Sequence, residues 1–267
     1  MPLTNLIVLA LIQGLTEFLP ISSSGHLIIV PNLINWHDQG LVIDVAVHAG
    51  SLLAVIIYLW RDLWSITAAL IDFRNLQQGP DLKLAKLIII ASIPVMIMGL
   101  IISLISDNLM RSVEIIGWAT LVFGILLGIS DKIGLSVSDL RHMGIGDAVL
   151  IGISQMLALI PGASRAGLTI TMARFLGYDR KTAARFSLLL AIPAILGAST
   201  LKGIEVVEAN NLVLGIDALI AGSVSFLAAL ASISIMMAWL DRAGFMPFVI
   251  YRIILGAALL VWVYALS

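Results

Sequence analysis

Apolar residues fall into six long blocks along the chain, near 43–60, 84–106, 113–130, 183–202, 213–239 and 246–266. A spanning helix needs roughly 20 predominantly apolar residues, so the blocks predict six membrane-crossing helices. Two further apolar stretches, 3–33 and 146–176, are broken in the middle by proline, glycine and polar side chains, as in "TEFLPISSSGHL" and "LIPGASRAGLT". Irregular backbone at membrane depth survives only where protein or a wet cavity satisfies its amides. Each broken stretch is therefore expected to be a re-entrant pair of half-helices. The fold class that follows is an all-α integral membrane protein, with six transmembrane helices plus two re-entrant hairpins.

The broken stretches resemble each other. "QGLTEFLPISSSG" places Gln13, Pro20 and Ser23 in the order in which "QMLALIPGASRAG" places Gln155, Pro161 and Ser164, with one residue fewer between Gln and Pro. Farther on, "ASIPVMIMG" (91–99) parallels "LAIPAILG" (190–197). The chain thus reads as one membrane domain built from two repeats, about 1–130 and about 146–267. Loop charges orient it. If Arg61, Arg74, Lys83 and Lys86 are cytoplasmic, alternation also puts Lys132, Arg141, Arg180, Lys181, Arg185 and Arg242 inside, leaving only Arg111 and Lys202 outside. That is the arrangement the positive-inside rule favours. Both termini are then outside and the two hairpins enter from opposite faces. This is an inverted repeat, with its functional site where the broken helices meet.

Composition narrows the functional classes. Of 267 residues, 60% are hydrophobic and 12% charged, where a soluble domain carries about 25% charged. A net charge of −1 argues against a nucleic-acid partner, which needs a basic surface. With no cysteine, disulfide and thiol chemistry are excluded. The start, "MPLTNLIV", lacks a basic region and reads as mature structure, not as a signal peptide. A homo-oligomer is compatible with all of this.

Ionisable groups inside lipid are functional candidates by default. Glu17 follows Gln13 by four residues, so both lie on one face of a first half-helix. After Pro20 the chain can restart with "SSSG", whose serines can cap free amides, and a helix N-terminus attracts anions. Ser22 and Ser23 precede His26 by four and three residues, within one turn, and the spacing does not choose between them. In the second hairpin Pro161 and Gly162 break the helix, Arg165 offers a fork suited to phosphate oxygens, and Thr169 follows one turn later. Together the hairpins hold a hydroxyl, a histidine, a carboxylate, an arginine and two helix N-termini, an inventory that fits phosphoryl transfer. The plainer readings are a structural Glu17–Arg165 ion pair and serines bonded to their own backbone. Asp44 and His48 read as cavity rim or helix contact, and His37 and His142 have no assigned role. An inverted repeat with broken helices is also a transporter plan, which makes a polyprenyl-phosphate transporter or flippase the competing class.

At these residues the sequence resembles the undecaprenyl-diphosphate phosphatase family of membrane enzymes linked to bacitracin resistance. "QGLTEFLPISSSGHL" matches that family's first motif and "PGASRAGLT" its second, while "DVAVHAGSLLAV", "AARFSLLLAIP" and "YRIILG" extend the likeness over nearly the whole chain. The resemblance implies hydrolysis of undecaprenyl diphosphate, a membrane lipid substrate, to the monophosphate, recycling the lipid carrier of cell-wall synthesis. It also implies a site open to the outer face of a bacterial inner membrane and a divalent cation, Mg²⁺ or Ca²⁺. By motif position the catalytic residues would be Ser23, His26, Glu17 and Arg165, with Ser22, Ser164, Thr169 and Gly162 binding substrate and Glu17 a candidate metal ligand. Two positions depart from the family pattern. Gln13 stands where some members carry a second glutamate, and Ala166 replaces the last serine of the usual Ser-Arg-Ser.

Overall fold

A computed structural model describes residues 2–34, 36, 40–71, 79–105, 112–134, 139–208 and 215–266. His37, Arg74 and Arg111 lie outside the described residues. Among those described, the chain forms eleven α-helices and no strand: α1 (Leu3–Thr16), α2 (Ser23–Leu33), α3 (Leu41–Tyr58), α4 (Trp60–Ile71), α5 (Pro80–Ile105), α6 (Val113–Ile133), α7 (Ile145–Met156), α8 (Arg165–Phe175), α9 (Arg180–Glu208), α10 (Ile216–Leu240) and α11 (Met246–Val261). Six of them, α3, α5, α6, α9, α10 and α11, are long and apolar enough to cross a membrane. They are the six expected spans. The chain is a multi-pass membrane protein.

The boundaries differ from those read off hydropathy, for local reasons. The second span begins at Pro80 and not near 84, because proline is well suited to the first helical turn, where no N–H partner is needed. The fourth begins at Arg180 and not near 183, because Asp179 caps it: its Oδ1 accepts from the Thr182 amide at 2.9 Å. The first span ends at Tyr58, and the charged stretch after it, expected as loop, is the helix α4. Its exposed side carries Trp60 and Trp64, with the Arg61 guanidinium over the Trp60 ring.

The helices exchange partners between the halves of the chain. Helix α1 packs on α10 as α7 packs on α5, α3 on α10 as α9 on α5, and α3 meets α9 as α6 meets α11. Glycine permits the two tightest contacts of the short helices. A Cβ on Gly14 of α1 would stand 2.4 Å from the Ser225 carbonyl oxygen, and one on Gly152 of α7 would stand 2.5 Å from the Ala91 carbonyl oxygen. Large apolar side chains remain exposed on the spans, Leu104, Ile235 and Ile254 among them, as expected of a lipid-facing surface. Helix α8 is the opposite case. Too polar to face lipid, it is buried from Ala166 to Thr171 and again at Ala173 and Arg174.

One end of the bundle is tied by charge. Asp131, at the end of α6, accepts from Arg180 at 2.6 Å and from the Phe245 amide at 3.1 Å, with Arg174 at 3.6 Å. Lys181 pairs with Asp241 and Arg185 with Asp62 at the same end. Tyr178 donates to Asp147 at 2.6 Å. Burial, and then that hydrogen bond and carboxylate, push its phenol up, so it stays a donor.

Candidate active site

Both broken stretches restart their helices in the same way. Ser22 precedes α2 at φ 76° and its Oγ accepts from the Gly25 amide; Ser164 precedes α8 at φ 70° and its Oγ accepts from the Gly167 amide. Among the described residues these are the non-glycine residues with positive φ. A serine held there costs roughly 1–3 kcal/mol and persists only where its surroundings over-determine it. The pairing corrects the alignment expected from sequence. Ser164 corresponds to Ser22 and not to Ser23, so Ser23 and Arg165 occupy the same first-turn position of their two helices.

A residue that sequence reasoning passed over holds the breaks together. Arg252, in the middle of α11 and fully buried, donates to the Pro20 carbonyl at 3.1 Å, to those of Gly162 and Ala163 at 3.0 and 2.9 Å, and to that of Thr120 at 3.2 Å. Carbonyls freed by both helix breaks thus find donors on one guanidinium, whose five N–H groups suit the task. Gly162, at φ 92°, fits because a Cβ would lie 2.6 Å from the Ile116 carbonyl oxygen. The signal was available in "VIYRIILG": a lone arginine in an apolar span requires a partner.

Between the two helix breaks lies a cavity of about 160 Å³ lined by Glu17, Ser22, Ser23, Ser24, His48, Ala158, Ser164 and Arg165. Glu17 Oε2 accepts from Ser23 Oγ at 2.6 Å and from Gln13 Nε2 at 3.0 Å, while Oε1 accepts from Arg165 Nη2 at 3.1 Å. Arg165 also donates to the Ser187 carbonyl at 3.3 Å and lies over the Phe18 ring. A serine hydroxyl, a carboxylate and a guanidinium are therefore joined across the two helix breaks, beside further serines. The cavity is too small for a lipid chain and has the character of a headgroup site.

Four expected residues sit elsewhere or otherwise: Gly162, expected to bind substrate, is not among the lining residues and gives its carbonyl to Arg252, and three more differ as follows. The hydrogen bond anticipated between a serine hydroxyl and His26 does not form: Nδ1 of His26 bonds to the Ser22 backbone carbonyl at 2.6 Å and Nε2 to the Tyr251 hydroxyl at 2.5 Å. His26 is not among the lining residues. Thr169 is buried and donates to the Ser187 hydroxyl at 2.8 Å, again away from the cavity. His48, expected at a rim, lines the cavity itself.

The donor set does not fit a resident divalent cation. Mg²⁺ and Ca²⁺ take several oxygen ligands, usually with more than one carboxylate or many carbonyls. Both oxygens of Glu17 are engaged by Arg165, Ser23 and Gln13, and among the described residues no three His, Asp or Glu gather. The second half offers no substitute: Gln155 is buried with neither amide atom bonded, and four residues on stands Leu159 where the first half has Glu17.

Fold and cavity define a polytopic helical membrane protein with a small polar site, holding one carboxylate and one guanidinium, between two broken helices. The family described as Bacitracin resistance protein BacA matches residues 6–258, and the chain belongs to that family. It is 49% identical over 271 residues to an undecaprenyl-diphosphatase of Jannaschia sp. (strain CCS1), covering 99% of this chain and 100% of that protein. It is 47% identical over 267 residues to one of Roseobacter denitrificans (99% and 100%). A third, undecaprenyl-diphosphatase 1 of Rhodospirillum rubrum, is 45% identical over 271 residues (99% and 96%).

Proposed function

We infer that this chain is an undecaprenyl-diphosphatase, a membrane hydrolase that removes the terminal phosphate of undecaprenyl diphosphate. The observation that carries the mechanism is the chain Ser23–Glu17–Arg165, which joins a hydroxyl, its proton acceptor and a phosphate-binding fork in one headgroup-sized cavity. Ser23 attacks the terminal phosphorus in line, and its proton passes to Glu17 Oε2. The bond from that phosphorus to the bridging oxygen breaks, the lipid monophosphate leaves with the proton that Glu17 had taken, and a phosphoserine remains beside a carboxylate free to act again. Water then attacks phosphorus, giving its proton to the base; the Ser23 oxygen leaves, is reprotonated, and free phosphate departs. Arg165 neutralises charge on the transferring group. Ser22 and Ser164 line the same space. A divalent cation, Mg²⁺ or Ca²⁺, belongs in this reading to the substrate as counter-ion of the diphosphate.

The partner exchange among helices and the matched Ser22 and Ser164 turns support an inverted repeat with re-entrant hairpins α1–α2 and α7–α8. Three spans, an odd number, separate the hairpins, so the second enters from the opposite face. The gathering of Arg174, Arg180, Lys181 and Arg185 at one end supports a cytoplasmic assignment for that end. The termini and the site then open outward in a bacterial inner membrane. Transport alone would leave the serine–carboxylate pair without a task.

The test is phosphate release from undecaprenyl diphosphate by purified protein in detergent with Mg²⁺ or Ca²⁺ present. Wild type is expected to release phosphate and Ser23→Ala to lose that activity by at least a thousandfold. Absence of release by wild type overturns the enzyme reading. Undiminished release by Ser23→Ala leaves a phosphatase whose nucleophile is water.

A further inference from the structure

The two histidines of the hairpin region are built alike and end differently. Each ring bonds through Nδ1 to the carbonyl four residues earlier in its own helix: His26 to Ser22 at 2.6 Å, His48 to Asp44 at 2.7 Å. A carbonyl only accepts, so Nδ1 carries the proton in both, and Nε2 is the edge left for a partner. In His26 that edge is taken by the Tyr251 hydroxyl at 2.5 Å, with the two rings stacked at 5.7 Å. His48 lines the cavity beside Glu17, Ser23 and Arg165. Its Nδ1 side faces its own helix, so Nε2 is the nitrogen available to a ligand there.

We propose that His48, and not His26, is the histidine that meets the substrate, its ring carrying a proton on both nitrogens when the diphosphate is bound and donating Nε2–H to a phosphate oxygen, while His26 is a positioning residue. The inference rests on the undecaprenyl-diphosphatase reading for the identity of the substrate, though not for the geometry. His26 acts on the turn before it. Its ring holds the carbonyl of Ser22, the residue at φ 76°, where the His26 amide itself is a distant 3.4 Å away. The ring thereby steadies the strained residue next to the nucleophile. Tyr251 clamps the ring from α11, and its neighbour Arg252 holds the Pro20 carbonyl on the other side of the turn. Two consecutive residues of α11 thus brace the segment that aims Ser23.

The two roles separate by side-chain geometry. An asparagine amide nitrogen reproduces the Nδ1 position of histidine, and a glutamine amide nitrogen reproduces Nε2. At position 48 the Gln variant is expected to retain kcat/KM within about threefold, while His48→Asn and His48→Ala lose about tenfold or more, the scale of a charge-assisted contact to phosphate. At position 26 the ranking reverses: His26→Asn retains kcat better than His26→Gln or His26→Ala. Tyr251→Phe lowers kcat by a few-fold and leaves KM unchanged. If His48→Ala keeps wild-type kcat/KM, or if His26→Asn is as inactive as His26→Ala, the proposal fails. A second measurement does not need turnover. In ¹⁵N-histidine-labelled protein, added inorganic pyrophosphate is expected to shift the Nε2 signal of His48 and not that of His26; the opposite pattern refutes the assignment. If wild type binds pyrophosphate in this way yet hydrolyses no undecaprenyl diphosphate, the substrate reading fails while the assignment of His48 stands.

Discussion

Replacing Arg252 with methionine tests the architecture at its most concentrated point. The substitution keeps an unbranched apolar stem but removes the donors that serve the carbonyls of Pro20, Gly162, Ala163 and Thr120. Each buried acceptor left without a donor costs roughly 1–3 kcal/mol. The three carbonyls at the helix breaks alone therefore put the gross loss at about 3–9 kcal/mol. Part is recovered, because the variant no longer buries a cation, so we take about 3 kcal/mol as the net figure. The loss falls on the contact that holds one hairpin against the other, and with it the Ser23 to Arg165 register. About two powers of ten in kcat are expected to go with it, together with a fall of about 6–12 °C in the unfolding midpoint. Arg252→Lys, with one compact ammonium in place of a fork, should fall between the two. The assays are phosphate release and thermal unfolding in the same detergent. A methionine variant with wild-type kcat and midpoint would show that the breaks do not depend on this side chain, and the account of how the site is assembled would be wrong.

Further outcomes follow from the same geometry. Glu17→Gln keeps the shape but not the proton acceptor of Ser23, and should cost at least a hundredfold in kcat by phosphate release; activity within threefold of wild type would rule out Glu17 as base. Asp131→Asn, distant from the cavity, removes the carboxylate charge that Arg180 and Arg174 share, and should lower the unfolding midpoint while leaving KM unchanged; a changed KM would couple that end to the site. Gly152→Val places side-chain carbon against the Ala91 carbonyl and is expected to destabilise by about 1–3 kcal/mol; a midpoint equal to wild type would show that α7 and α5 separate freely. Equilibrium dialysis against Ca²⁺ should find no tight site on the lipid-free protein and uptake once undecaprenyl diphosphate is added. Stoichiometric binding without lipid would require ligands beyond Glu17.

The spans and the two breaks were legible because membrane burial leaves a coarse record: long apolar runs where backbone satisfies itself, proline and glycine where it cannot. Part of the cavity lining was legible too, since Glu17, Ser23 and Arg165 carry polarity that lipid does not tolerate unpaired, while His26, Thr169 and Gly162 lie outside the lining and His48 lies in it. The wiring was not. Spacing along one helix suggested a bond between a serine hydroxyl and His26, but a ring within one turn of helix also reaches the carbonyl four residues back, and at Ser22 that carbonyl wins. The partner on the far side of the ring, Tyr251, is more than two hundred residues away in sequence. Arg252 was visible as an anomaly in an apolar span, but its role depends on carbonyls supplied by two distant breaks, which no local pattern reports.

The matched turns at Ser22 and Ser164 have a consequence for how direction enters the reaction. The two turns share one backbone conformation, and a site made of identical turns would treat both ends of a diphosphate alike. The residue after each serine breaks that equivalence: Ser23 on one side offers an electron pair, Arg165 on the other offers positive charge. In the proposed reaction the terminal phosphorus faces the nucleophile, and the cation beside it takes up the charge of the group being transferred. Which end of the diphosphate is lost then turns on a single first-turn residue in each half of the cradle.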